Sequence, residues 1–420
     1  MAGMGTSRAA PKDLTVLAVP VYFVSMGAEY VWMRRAAARR GPLAGQYERR
    51  DTLASLAMGL GSLVAPLVVP PLLRPLTPGR GRWGRALVGA VVAAATVTSL
   101  AERSARRART AAAGAPGTVT GPDDGTAPAL PAQGAPTPPA TRADRLASVG
   151  GVTTVALGGL AVATAWAALT SPERLWRHRL LPDRGSGPLA LVVAVVGWDF
   201  IYYWNHRLMH EIRYLWSIHV VHHSSEHYNL STALRQPVAD ALGPYVPYGA
   251  LCLAGISPGL VATARGINLL YQFWIHTEAI GRLGLPEEVL NSPSHHRVHH
   301  GSNAEYLDRN HGSILIVWDR LFGTFEREDA PVVYGITTNI GTFDPARIVS
   351  HEYLAMLGDV SRSTGWGERL GHVVRGPGWA PGRPAGGLRR SGGDTGQASN
   401  GARPTRRGSG AVATSGSLPS

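Results

Sequence analysis

The sequence predicts an all-α fold: a polytopic membrane helical bundle with a histidine-box cap, built for two metal ions, on its cytoplasmic side. Three observations predict it. Several apolar runs approach the ~20 residues that a helix needs to cross a bilayer. Only 16% of the chain is charged. Of its 15 histidines, 12 fall between His206 and His311.

The apolar runs occupy residues 14–33, 53–73, 86–100, 147–170 and 188–204, followed by a proline-interrupted apolar stretch at 238–274. The first is flanked by Arg8 and Lys12 but contains Glu29, and no small-residue cleavage site follows it. It therefore reads as a retained helix rather than a removed signal peptide. Residues 111–141, rich in Ala, Pro, Gly and Thr, and residues 376–420, rich in Gly, Ser and Arg, lack the apolar content to order themselves. The expected divisions are amino-terminal membrane helices at 1–110, a disordered linker at 111–145, a histidine-bearing membrane domain at 146–345, a helical extension at 346–375 and a disordered basic tail at 376–420.

The formal charge of +13 would suggest nucleic acid in a soluble protein. Here nearly all of it is arginine, placed beside apolar runs and in the tail, and Lys12 is the sole lysine. With abundant Ala, Gly and Pro this bias reads as a GC-rich genome. Nucleic acid is not expected as a partner; anionic lipid headgroups suit the arginines better. Cys252 stands alone, which excludes disulfides within the chain and cysteine-ligated zinc or iron–sulfur sites.

Arg34, Arg35, Arg39, Arg40, Arg49 and Arg50 fall between the first two runs, and Arg103, Arg106, Arg107 and Arg109 follow the third. Placing both groups in the cytoplasm, with each run spanning once, brings the end of the 188–204 helix there too. The expectation is a multi-pass protein of a bacterial inner membrane with its histidines on the cytoplasmic side. The arginines within 74–85 and 174–184 then lie outside, against the rule.

The histidines form three boxes: His206-x3-His210, His219-x2-His222-His223 and His296-x2-His299-His300, with His295 adjoining the third. Positions i, i+3 and i+4 share a helix face, so each box can aim two or three imidazoles at one point. Neutral imidazole suits Zn, Cu, Fe or Ni, and the ligands exceed what one ion can accept. Two metal ions are implied. His276 follows the apolar run Tyr271-Gln272-Phe273-Trp274-Ile275, where an unpaired polar side chain would be costly, and it joins the ligand set. The candidates are therefore His206, His210, His219, His222, His223, His276, His295, His296, His299 and His300.

Cations held by neutral ligands should draw carboxylates near, and Asp199, Glu211, Glu226 and Glu278 are the candidate catalytic acids. His227 and His311 read as supporting or surface residues. Nothing around His178, His351 or His372 repeats the box pattern, so these read as isolated structural histidines.

The run from Trp198-Asp199-Phe200-Ile201-Tyr202-Tyr203-Trp204-Asn205-His206 through His210 resembles the first motif of the fatty acid hydroxylase and sterol desaturase superfamily. So do the third box, from Asn291-Ser292-Pro293 to His300-Gly301, and Trp318-Asp319-Arg320-Leu321-Phe322-Gly323-Thr324-Phe325. The resemblance covers residues 189–345. Within the superfamily, the runs His222 to Gln236 and Asn268 to Glu278 are most similar to the ether-lipid-cleaving branch, the alkylglycerol monooxygenases.

The resemblance implies a non-haem di-iron site, dioxygen as oxidant, a lipid as substrate, and tetrahydrobiopterin as electron donor in that branch, with a ferredoxin-type electron-transfer partner as the other possibility. The sequence departs from the branch at His227, where an acidic residue is common, and at His311, where a tyrosine is. The expected activity is monooxygenation of a lipid alkyl chain, with cleavage of alkylglycerol ethers. The alternatives are a sterol, fatty acyl or carotenoid hydroxylase or desaturase on the same boxes. More distant are a metal transporter or a bis-histidine haem protein of electron transfer.

Overall fold

A computed structural model describes residues 14–113, 140–238 and 248–382. These carry fourteen α-helices: α1 (Leu14–Leu17), α2 (Val19–Arg40), α3 (Arg49–Leu73), α4 (Gly84–Ala113), α5 (Arg142–Thr170), α6 (Pro172–Arg177), α7 (Pro188–Glu211), α8 (Arg213–His223), α9 (Ala250–Leu253), α10 (Pro258–Trp274), α11 (Pro293–His299), α12 (Val317–Phe322), α13 (Pro345–Arg362) and α14 (Trp366–Val374). Extended pairing among the described residues is confined to two isolated bridges, Leu290 with Leu315 and Gly301 with Tyr334.

The helix starts follow local chemistry. Thr141 caps α5 in a reciprocal box with Asp144, and Ser257 and Ser292 cap α10 and α11 just ahead of a proline in the first turn. Four helices are long and apolar enough to cross a membrane: Arg49–Leu76, Gly84–Ala111, Arg142–Thr170 and Pro188–Glu211. Leu67, Val149 and Leu189, all more than half exposed, show the apolar exterior that lipid would cover. The chain is a multi-pass membrane protein.

The first expected run departs from this pattern. Leu14 packs against Gly266 partway along α10, Tyr22 meets Phe273, and Glu29 reaches Thr277 beyond the α10 end. Residues 14–33 thus lie alongside α10 and are not among the four spanning candidates. Glu29 and the arginines that follow leave this helix no 18-residue stretch as apolar as those of the other four.

Three buried polar clamps hold the cap on the bundle. Asp199, fully buried on α7, accepts from Asn268 Nδ2, the backbone N–H groups of Ile314 and Leu315, and Trp318 Nε1. One carboxylate thereby joins α7, α10 and the segment entering α12. On the α3 side, Asp51 pairs with Arg235 at 2.8 Å, each 1% exposed, and Arg235 also donates to Val221 O and Ser224 Oγ beside the second box. On the α8 side, Arg213 donates to Glu352 at 2.8 Å and Asp359 at 2.6 Å, so α13 braces the helix that carries His219, His222 and His223. The start of α3 and the end of α4, where Arg369 of α14 meets Glu102, therefore lie on the same side as the histidines. Both arginine-rich flanks share that side.

The expected linker at 111–145 and tail at 376–420 fall largely outside the described residues. At their edges, α4 runs to Ala113 and α5 starts at Arg142. At the start of the expected tail, the Trp379 ring stands edge-on to His372 at 4.9 Å.

Removing one partner of a buried ion pair strands the other charge, at a cost of about 3–5 kcal/mol. Asp51→Ala should lower the detergent-solubilised protein's unfolding free energy by about that much. Adding Arg235→Met should recover most of it. Equal melting of the wild type and the single variant would show that the pair does not clamp α3 to the cap.

Candidate metal centre

Nine of the ten candidate histidines gather into two buried clusters. The first holds His206, His210, His219, His223 and His299; the second holds His222, His276, His296 and His300; within each cluster the candidate ligand atoms lie within 4.8 Å of one another. The division follows from helix geometry. In each of the two longer boxes the outer pair, i and i+4, goes to one cluster and the residue at i+3, turned about 60° further round the helix, goes to the other. His219 and His223 thus join His299 of the third box, while His296 and His300 join His222 of the second. The α7 pair completes one set and His276 the other. The clusters adjoin, since His223 and His300 stack at 4.4 Å.

The nitrogens converge. His206 Nε2 lies 2.9 Å from His219 Nε2, which is 3.1 Å from His223 Nε2. His276 Nε2 lies 3.1 Å from His222 Nε2 and 3.0 Å from His296 Nε2. Ligand nitrogens ~2.1 Å from one ion and at right angles about it stand about 3.0 Å apart. The Nε2 atoms of His210, His299 and His300 are buried with no hydrogen-bond partner. Facing imidazole nitrogens can share at most one proton, so this many lone pairs out of water call for cations. The residues fit transition-metal binding.

The far side of several rings is held. His206 Nδ1 donates to His311 O at 2.8 Å, His276 Nδ1 to Gln272 O at 2.6 Å and His299 Nδ1 to Arg309 O at 2.9 Å. A proton placed on Nδ1 leaves the Nε2 lone pair free to bind metal. His210 Nδ1 faces Asp308 Oδ1 at 3.5 Å. Burial holds His276 down to about 4, against the pull of its bond to Gln272. Burial and then mutual repulsion hold His219, His222, His223, His296, His299 and His300 well below the ordinary histidine value. Neutral rings are ligands without further cost.

His295 stands apart from both clusters. Its ring meets Phe325 edge-on at 5.3 Å, and burial lowers it to about 4, with Glu287 opposing. None of the four carboxylates enters a cluster. Asp199 is the clamp described above, Glu211 is exposed and pairs with Arg207, Glu226 is exposed, and Glu278 accepts from Gly45 N–H and Tyr334 Oη. His227 is half-buried, and His311 is buried with its ring 4.9 Å from that of His210. His178 is exposed, His351 half-buried and His372 buried under Trp379.

Residues 191–324 match the fatty acid hydroxylase family model. Both clusters lie wholly within the matched residues. The alkylglycerol monooxygenase of Homo sapiens is 45% identical over 221 residues, which cover 52% of this chain and 49% of that protein. That of Danio rerio is 48% identical over 192 residues, 46% of this chain and 43% of its own. The ornithine lipid hydroxylase OlsE of Rhizobium tropici is 27% identical over 194 residues, 45% of this chain and 57% of its own. The chain spans about half the length of the curated relatives it matches. No solved structure matches it.

Two supports of the matched residues had no sequence signal of their own. Arg297, inside the third box, grips Glu328 through two nitrogens at 2.6 and 2.7 Å and donates to Thr277 O and Ile280 O, tying α11 to the segment after His276. Asp319 accepts from the N–H groups of His311 and Gly312 and from Thr324, and burial raises it to about 6. Local spacing reveals neither, because each partner lies on a separate loop.

Buried rings whose folded values sit below about 6.5 bind fewer protons than the unfolded chain in acid, so they favour unfolding as pH falls below that value. Chelator-treated protein should melt at a constant temperature above about pH 6.5 and progressively lower between about 6.5 and 4, the window set by His276. A melting temperature unchanged down to about pH 5 would contradict neutral burial of the clusters.

Proposed function

We propose that the protein is a membrane-bound non-haem di-iron monooxygenase that hydroxylates a lipid alkyl chain with dioxygen, and that its substrate is an alkylglycerol ether lipid. The carrying observation is the pair of adjacent all-histidine clusters inside a fatty acid hydroxylase domain at the end of membrane-spanning α7. The 38–48% identity to alkylglycerol monooxygenases supports the ether lipid. The catalytic part is residues 146–345, and residues 346–375 brace α8 through Arg213.

His206, His210, His219, His223 and His299 would hold one iron, and His222, His276, His296 and His300 the other. Bound iron with dioxygen supplies the oxidising power. The chain's own residues bury the rings, fix their tautomers through the carbonyls of His311, Gln272 and Arg309, and keep water away from the site. Asp199 is a positioning residue: through Asn268 it holds Gln272, whose carbonyl orients His276.

Insertion of one oxygen atom at the carbon beside the ether oxygen gives a hemiacetal, which collapses to a fatty aldehyde and glycerol. The second oxygen atom leaves as water, with two electrons from tetrahydrobiopterin or a ferredoxin system and two protons from the pterin or, with ferredoxin, from water. The arginine-rich flanks of α3 and α4, on the side of the histidines, support a cytoplasmic active site in a bacterial inner membrane. The similarity to an ornithine lipid hydroxylase favours one second reading, hydroxylation of an acyl lipid without cleavage.

Metal analysis of anaerobically purified protein should find about two irons per chain and no haem, because nine imidazoles exceed one ion's capacity. One ion in fully active protein would overturn the di-iron reading. His222→Ala and His299→Ala each remove the i+3 ligand of a box and should abolish turnover at normal expression; retained activity would remove that residue from the ligand set. Given alkylglycerol, dioxygen and either donor, the wild type should release fatty aldehyde. A hydroxylated acyl lipid with no aldehyde would establish the second reading.

A further inference from the structure

An apolar groove of about 760 Å³ runs between α2 and α10. Ala18, Val21, Ser25 and Ala28 line one wall at helical spacing, and Leu270 and Phe273 line the other. Its volume falls within the roughly 300–1,000 Å³ of small-molecule sites. The outer face of α2 beside it is apolar and exposed, with Phe23 at 54% and Val24 at 73%. Such a surface borders lipid rather than water.

The inner end of the groove is polar. Glu29 lines it while only 6% exposed, held by Thr277 Oγ1, Tyr47 Oη and Leu230 N–H. Thr277 Oγ1 and Tyr47 Oη contact different carboxylate oxygens. Oε2 accepts two bonds and Oε1 one, so a carboxylate with about four acceptor positions keeps one open on Oε1. Thr277 directly follows His276, so the polar end of the groove adjoins the four-histidine cluster.

We propose that this groove holds the alkyl chain of the lipid substrate and that Glu29 and Thr277 at its inner end bind the hydroxyls of the head group. The proposal rests on the ether-lipid reading for the identity of the head. An alkylglycerol has its hydroxyls within a few bonds of the carbon to be oxidised, so polar groups are needed beside the metal and apolar wall beyond it. The groove has that order. It assigns the oxidised carbon to the His222, His276, His296 and His300 cluster. It also makes Glu29 and Thr277 specificity residues that set which carbon is presented.

The probe for the chain is a hexadecylglycerol with a diazirine midway along its tail, irradiated with the iron-loaded full-length protein in detergent and mapped by peptide mass spectrometry. Labels on α2 and α10 groove residues, suppressed by unlabelled alkylglycerol, are expected. Suppressible labels confined to the outer faces of α3, α4 or α5 would overturn the groove. This readout needs no turnover, so it decides the groove even where the protein oxidises no ether lipid and the proposed function itself fails.

The head-group assignment has a separate readout, the kcat/KM ratio of alkylglycerol to its di-O-methyl analogue. Glu29→Gln and Thr277→Val should each shrink that ratio about tenfold or more, since Glu29 Oε1 and Thr277 Oγ1, which also accepts from Ala279 N–H, each keep an acceptor position for a hydroxyl hydrogen that the analogue lacks. A purely structural effect lowers both substrates together and would overturn the assignment. Ser25→Trp, which fills the groove away from the metal, should raise KM about fourfold for each methylene excluded, with kcat little changed. An unchanged KM in folded Ser25→Trp would place the chain elsewhere.

Discussion

Nine imidazoles packed out of water at the end of a membrane bundle are stable only when their lone pairs meet cations and their remaining N–H groups meet fixed acceptors. That constraint organises much of the cap. Carbonyls of Gln272, Arg309 and His311 face the rings because α10, the loop after Asp308 and the α7 end are pinned around them. Asp199 does much of the pinning, since α7, α10 and the approach to α12 all return to one carboxylate. In a membrane the apolar effect cannot press the cap against the bundle as it would in water, so buried polar clamps such as Asp51 with Arg235 carry that contact instead.

The helical fold and the gathering of the histidines were legible in the sequence, because both depend on local periodicity. Apolar runs at 53–73, 86–100, 147–170 and 188–204 lie within α3, α4, α5 and α7, and the i, i+3, i+4 spacing fixes which histidines share a helix face. The exchange of the i+3 residues between clusters was implicit in the same spacing, but it emerges only once α8 and α11 are known to face each other. His295 illustrates the limit: its neighbours in sequence enter the clusters, while one helical step of rotation turns its own ring toward Phe325.

The supporting charges were legible only in part. Of the four acids the sequence suggested, Asp199 is a clamp of the cap, while Glu211 and Glu226 are exposed and Glu278 is bound to Gly45 and Tyr334. Two further acids that hold the cap, Asp51 and Asp319, find partners far away in sequence or on a neighbouring loop, and no spacing rule reports such pairs. The placement of the first apolar run was not legible for a related reason: Glu29 is held by Thr277 and Leu230, which lie about 200 or more residues further along the chain.

The position of α2 bears on the proposed groove. The family match covers residues 191–324, which supply both clusters, whereas α2 lies wholly outside it. The groove is therefore composite: the wall with Leu270, Phe273 and Thr277 comes from the matched residues, and the facing wall, with Glu29, comes from a helix outside them. Metal geometry tolerates little change, because a nitrogen displaced by a fraction of an ångström is a lost ligand. A helix that only lines an apolar groove tolerates a great deal. In the proposed binding mode, substrate choice would diverge by altering α2 while the nine histidines stay fixed, separating the residues that would hold the metals from those that would set which carbon reaches them.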